Sequence, residues 1–200
     1  MGLIRRSFSY LDKTIFTRLF KAMVRPHIEY GNAVWYTKFK KVKIQIENVL
    51  RRATKKLQCC REMSYEERLK FLELPCMLYR KLRGDMIEVF KFISGKYDQS
   101  INYPLKLSSN PRSGTSKRLQ KPDKNIPPRK MKQIRRNNFS HRTVNFWNNL
   151  PQSVINATSL NSFKNRLDKY WERFNIKFNF DRCLLFENNM LSGIGTGGHN

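Results

Sequence analysis

Apolar residues in the first half of the chain recur with the period of an α-helix, three or four residues apart. The first such segment runs from Asp12, a predicted N-cap, to about Val24, and Pro26 predicts that the helix ends there. A capping box of Ser64 and Glu67 predicts a short helix that ends before Pro75. Pro75 is then expected to open a further helix that stops at Gly95.

The predicted helix from Val42 to about Leu57 is amphipathic. Its apolar stripe consists of Val42, Ile46, Val49, Leu50, Ala53 and Leu57. Its opposite face carries Lys43, Arg51, Arg52, Lys55 and Lys56. Together with the other three segments, this helix predicts a compact helical bundle over residues 1–95.

The pattern changes after this bundle. Residues 96–138 are rich in Pro, Ser and basic side chains, which predicts an irregular connector with short strands, for example around Thr115 to Leu119. Helical periodicity returns over residues 139–175, as a small C-terminal helical unit. The Asn-rich residues 176–200 show little periodicity and are expected to be poorly ordered. The predicted fold class is mainly α.

Charge narrows the choice of partners. The chain holds 40 basic and 15 acidic residues, a formal excess of +25. The stretch from Arg112 to Arg142 contains eleven basic residues and a single acidic residue, Asp123. Such clustered positive charge is typical of nucleic-acid binding, because a polyanion relieves the repulsion among the cations. A solvated basic linker is the alternative explanation for this stretch.

Several other classes of protein fit poorly. No apolar run approaches the ~18 residues of a membrane span, and the N-terminal residues lack the apolar core of a signal peptide. Four cysteines without Cys-x-x-Cys spacing favour idle thiols of an intracellular protein, nuclear or cytoplasmic, over a zinc site. We therefore expect no membrane partner, no metal, no cofactor and no small-molecule substrate.

Five blocks of sequence, in order, carry a family resemblance. Residues Leu19–Trp35 read LFKAMVRPHIEYGNAVW, and Ile46–Lys55 read IENVLRRATK. Leu74–Ile87 contain Leu-Pro and, further on, Arg-Gly-Asp. Phe139–Pro151 contain Phe-Ser-x-Arg and Trp-Asn-x-Leu-Pro, and Ser162–Asp168 read SFKNRLD. These blocks resemble the region after the palm in reverse transcriptases of non-LTR retrotransposons, the jockey-like group especially.

The resemblance implies the thumb and post-thumb part of an RNA-directed DNA polymerase, without its palm, fingers and endonuclease. The palm of that family carries an aromatic-x-Asp-Asp hairpin that holds catalytic metal ions, and no such motif occurs here. Asp85 and Glu88 lie between Lys81 and Lys91, where pairing along a helix accounts for them. We therefore expect no catalytic residues and no polymerase activity from this chain.

A thumb holds the template–primer duplex chiefly through its phosphates, for which Lys and Arg are suited whatever the base sequence. The predicted nucleic-acid-binding residues are Arg51, Arg52, Lys55, Lys56, Arg129, Lys130, Lys132, Arg135 and Arg136. Two alternatives remain open. One is a helical interaction module that docks on a separate palm–fingers module, and the other is a decayed retroelement remnant without a function.

Overall fold

The computed structural model describes residues 12–31, 39–98, 105–108, 117–121 and 138–192, and it confirms the predicted mainly-α fold. The helices are α1 (Lys13–Leu19), α2 (Arg25–Glu29), α3 (Lys40–Thr54), α4 (Tyr65–Leu72), α5 (Met77–Ile93), α6 (Phe139–Asn148), α7 (Gln152–Ile155), α8 (Leu160–Glu172) and α9 (Phe180–Ser192). A π-helical turn, Phe20–Val24, joins α1 to α2, and a 3₁₀ turn, Gln58–Cys60, follows α3.

The first helical segment begins as predicted but does not end at Pro26. The Asp12 carboxylate caps α1 by accepting the Ile15 N–H at 2.6 Å. The π-helical turn widens the backbone, so that the Arg25 N–H reaches the Phe20 carbonyl. Pro26 then occupies the first turn of α2, where its missing N–H leaves no helical bond unmade. The prediction that Pro26 terminates the helix is therefore wrong.

The caps around α4 and α5 follow the sequence closely. Ser64 and Glu67 form the predicted capping box. α5 begins at Met77 rather than at Pro75, because the Cys76 thiol caps it. At its other end Gly95 has a φ of 65°. This left-handed conformation lets the Lys96 N–H donate to the Lys91 carbonyl at 3.0 Å, a Schellman motif that glycine favours.

Helix α5 is central to the packing. It contacts α3 from the N-terminal half and α6, α8 and α9 from the C-terminal half. Phe90 stacks on Phe163 of α8 with 4.3 Å between ring centroids. Trp147 and Trp171 are fully buried in the same core. Helices from the predicted N-terminal bundle and from the predicted C-terminal unit therefore share one hydrophobic core.

Helix α9 corrects the expectation of a poorly ordered tail over residues 176–200. Phe180, Cys183, Leu184 and Met190 of α9 are buried, and the helix packs on α5 and α6. Glu187 lies on the same buried face, and a charged residue in the middle of an apolar face conceals its helical period. Residues 193–200 lie outside the described ranges.

Part of the predicted connector is tied to α6. Leu107 and Leu119 form an isolated antiparallel bridge. The Asn148 amide both donates to the Leu119 carbonyl and accepts the Leu119 N–H, each at 2.9 Å. The Trp147 indole N–H donates to the Lys117 carbonyl, also at 2.9 Å. The Trp-Asn dipeptide thus fastens the described segment around Leu119 of the connector to the core.

Within the described ranges, every helix is too short or too polar to cross a bilayer.

Candidate nucleic-acid interface

Helix α3 has a different inner face from the one that its sequence predicts. Val42 and Val49, predicted to lie in the core, are 36% and 37% exposed. Lys43, predicted to face outward, is only 7% exposed and pairs with the buried carboxylate of Glu187 on α9. The helix is therefore rotated so that Lys43, Glu47 and Leu50 face inward. That rotation is possible because α9 supplies a partner for the Lys43 ammonium.

The four predicted binding residues of this region, Arg51, Arg52, Lys55 and Lys56, are all exposed. Arg51 and Arg52 lie in the last turn of α3, and Lys55 and Lys56 follow it directly. In the described ranges, neither Arg52 nor the two lysines form an ion pair with a carboxylate. We call these four side chains the α3 basic cluster.

Three members of the cluster line a shallow cavity of about 470 Å³, whose lining residues are Val49, Arg52, Ala53, Lys55 and Lys56. The position of the basic cluster at the end of α3 also has a local explanation. The carbonyl groups at the end of a helix carry partial negative charge, and basic side chains there stabilise the helix. That interaction leaves the charged ends of the side chains in solvent, where they can contact phosphate.

Arg51 packs on a tyrosine ring that a buried carboxylate holds in place. The Arg51 guanidinium lies 4.7 Å from the centroid of the Tyr65 ring. The Tyr65 hydroxyl donates to Glu47 Oε1 at 2.5 Å, and the Met77 N–H donates to Glu47 Oε2 at 2.9 Å. Burial raises the pKa of Glu47 to about 7, against the lowering effect of these hydrogen bonds. Glu47 therefore joins α3 to α4 and to the start of α5.

The second predicted set, Arg129, Lys130, Lys132, Arg135 and Arg136, lies outside the described residues. Its role therefore stays a prediction.

Many of the acidic side chains in the described ranges form ion pairs within the fold. Asp85 and Arg142 form a buried pair with two hydrogen bonds of 2.9 Å. Asp168 pairs with Arg83 at 2.6 Å and accepts the Tyr79 hydroxyl at 2.9 Å. Further ion pairs in the described ranges are Glu29 with Arg25 and Arg80, Glu66 with Lys70, Glu88 with Lys91, and Glu187 with Lys43.

Two sequence-based interpretations can be judged from these pairs. The Glu88–Lys91 pair at 2.7 Å confirms local pairing along the helix. Asp85 has its hydrogen-bonded partner, Arg142, 57 positions away on α6. Lys81, one helical turn before Asp85, is also close to it: burial lowers the pKa of Lys81, and the charge of Asp85 opposes that lowering. Acids held in such pairs cannot neutralise the α3 basic cluster.

Within the described ranges, no three His, Cys, Asp or Glu side chains are grouped so as to hold a metal ion. The four cysteines are free thiols. Cys183 contacts Cys76 in the core, and burial raises the pKa of the Cys183 thiol well above its ordinary value.

Comparison of the chain with protein-family models, with curated proteins and with solved structures gave no match.

Proposed function

We propose that this chain binds template–primer nucleic acid through phosphate contacts, as the thumb of a non-LTR retrotransposon reverse transcriptase would, and performs no polymerase chemistry itself. The observation that carries the proposal is the α3 basic cluster, an exposed group of cations in which Arg52, Lys55 and Lys56 have no carboxylate partner in the described ranges. The resemblance of five sequence blocks to that family supports the same function.

The physical basis is the release of counterions. Each Lys or Arg that contacts a phosphate replaces a condensed cation, so the affinity falls as the salt concentration rises. In a plot of the logarithm of the binding constant against the logarithm of the salt concentration, each contact contributes about 0.9 to the downward slope. A helix end that presents neighbouring cations suits the regular phosphate spacing of a duplex backbone. Because phosphates are common to all sequences, we expect little dependence on base sequence.

The test is a fluorescence-anisotropy titration of an RNA–DNA duplex at several salt concentrations. The variant R52Q/K55Q/K56Q removes three charges of the cluster and leaves Arg51 on Tyr65. We expect its salt slope to be lower by roughly 2–3 and its affinity at 0.1 M salt to be lower by about tenfold or more, because about three phosphate contacts are lost.

The matched control is K21Q/K96Q/R182Q, which removes the same charge from three separate exposed positions. We expect a much smaller change in slope, since only the general field of the protein is altered. Equal losses in the two triple variants, or no loss in either, would contradict the proposal.

A second candidate function is a helical module that docks on a separate polymerase core. The exposure of Val42 and Val49 on α3 favours it, because a solvent-facing apolar strip on a helix suits a partner surface. Here V42S/V49S is expected to abolish association with an added palm–fingers fragment in analytical ultracentrifugation. Duplex affinity is expected to remain within about twofold, which separates this candidate from the first.

A further inference from the structure

Basic and aromatic residues alternate in a short repeat at the end of α8. The dipeptides Lys169-Tyr170, Arg173-Phe174 and Lys177-Phe178 follow one another at intervals of four residues. Each cation is exposed and each ring is half-buried. The repeat lies far along the chain from the α3 basic cluster. None of its residues is among the nucleic-acid-binding residues that the sequence predicts.

Arg173 joins the first two dipeptides in space. Its guanidinium carbon lies 4.0 Å from the centroid of the Tyr170 ring and 4.7 Å from that of Phe174. These distances place the cation on the ring faces, where the quadrupole of the rings attracts it. Among the described residues, Arg173 has no ion pair with a carboxylate. We call Lys169, Tyr170, Arg173 and Phe174 the α8 stacking surface.

The rings under Arg173 are held by the core. Tyr170 and Phe174 meet edge to face with 5.6 Å between centroids. Phe174 also packs against Phe186 of α9 at 5.0 Å. These contacts restrict the two rings, so little of their conformational freedom is lost when a ligand binds over them.

We propose that the α8 stacking surface binds single-stranded nucleic acid, with an unpaired base stacked on the Arg173 guanidinium and the adjoining phosphates near Lys169. The proposal rests on the proposed function for its class of partner, but it uses a different surface. Arg173 is exposed, so a guanidinium that lies over aromatic rings on its protein side can still receive a base on its solvent side. A duplex, whose bases are stacked on one another, cannot use this surface in the same way.

An anionic membrane is the other partner that basic and aromatic residues suit. The packing argues against it. Phe163, Leu167 and Trp171, the apolar face of α8, are buried in the core, so this helix has no free apolar face to insert into lipid. Tyr170 and Phe174 are also fixed by their neighbours, which prevents the rings from turning outward.

The experiment compares R173K with R182K, its matched control on α9, using a 12-nucleotide oligouridine and an RNA–DNA duplex of equal length. Lysine keeps the charge but lacks the plane on which a base stacks. We expect R173K to weaken oligouridine binding about fivefold or more, the lower range for one stacked base, and to leave duplex binding within about twofold. R182K is expected to change neither.

Three results would overturn the proposal: unchanged oligouridine binding by R173K, equal weakening for oligouridine and duplex, or displacement of oligouridine by phosphatidylserine vesicles that R173K no longer binds. If the thumb-like proposal is wrong instead, the R52Q/K55Q/K56Q variant retains full duplex affinity, so the failures of the two proposals can be told apart. Circular dichroism spectra of R173K and R182K are to be compared with that of the wild type, to check that both variants are folded.

Discussion

The inner and outer faces of α3 use charged side chains in opposite ways. On the inner face, Lys43 is bound to a carboxylate of α9, and Glu47 accepts hydrogen bonds from α4 and α5. On the outer face, Arg52 and Lys55 are exposed and have no carboxylate partner in the described ranges. The difference shows that a partner from a distant part of the chain decides whether a charge stabilises the fold or remains available to a ligand.

The energetics of the two faces should differ accordingly. A buried charge that loses its partner is left desolvated, which costs several kcal/mol. An exposed cation loses only a weak interaction with its surroundings. In a chain with a formal charge of +25, removing an exposed cation also relieves repulsion. The following predictions test this contrast in decreasing order of effect.

The largest effect is expected from D85N. Asp85 and Arg142 are each 3% exposed at the side chain, so the substitution takes one charge out of a buried ion pair and leaves the guanidinium desolvated. We expect the free energy of unfolding, measured by urea denaturation, to fall by about 3–5 kcal/mol. E88Q breaks a half-exposed pair on the same helix and is expected to cost less than about 1 kcal/mol. A cost of D85N no larger than that of E88Q would contradict the buried pair.

An intermediate effect is expected from E47Q, which should change how the free energy of unfolding depends on pH. The pKa of Glu47 rises from its ordinary value of 4.5 to about 7 in the folded chain. The folded state then binds more protons than the unfolded state between these two values, so stability falls as pH rises through this window. The loss reaches about 3 kcal/mol above pH 7, at 1.36 kcal/mol per pKa unit.

Glutamine does not titrate, so E47Q should lack this loss and be more stable than the wild type at pH 8. Urea denaturation at pH 5 and pH 8 measures the difference, and E62Q, at an exposed position, serves as control. The same pH dependence in E47Q and in the wild type would disprove the assignment of the loss to Glu47.

The smallest effect is expected from R52Q/K55Q/K56Q, now measured as stability. The three side chains are exposed, and each replacement should change the free energy of unfolding by at most about 0.5 kcal/mol. Thermal denaturation at low salt is the measurement. A loss of several kcal/mol would show that these cations belong to the fold, and the contrast between the two faces of α3 would then disappear.

Much of the fold could be predicted from local sequence. Asp12 and Ser64 cap helices where the sequence predicts them. Gly95 stops α5 as expected. These features depend on residues within one or two turns of each other, which is why the chain itself displays them.

The failures have a different origin. Pro26 was expected to end a helix, but a π-helical turn accommodates it. Helix α9 was not recognised because Glu187 interrupts its apolar face. The predicted orientation of α3 was wrong because its apolar stripe includes two valines that the fold leaves exposed. In the last two cases, Lys43 of one helix and Glu187 of the other form the same buried pair.

The sequence alone determined the helical class, most caps and the excess of positive charge, because these follow from residue type and short-range spacing. Only the tertiary structure decided which charges are buried in pairs and which face solvent. Lys43 and Lys55 are chemically identical and lie on the same helical segment. The carboxylate of Glu187, 144 positions from Lys43, is what distinguishes them. Coulomb attraction acts through space, and only folding brings such distant residues together.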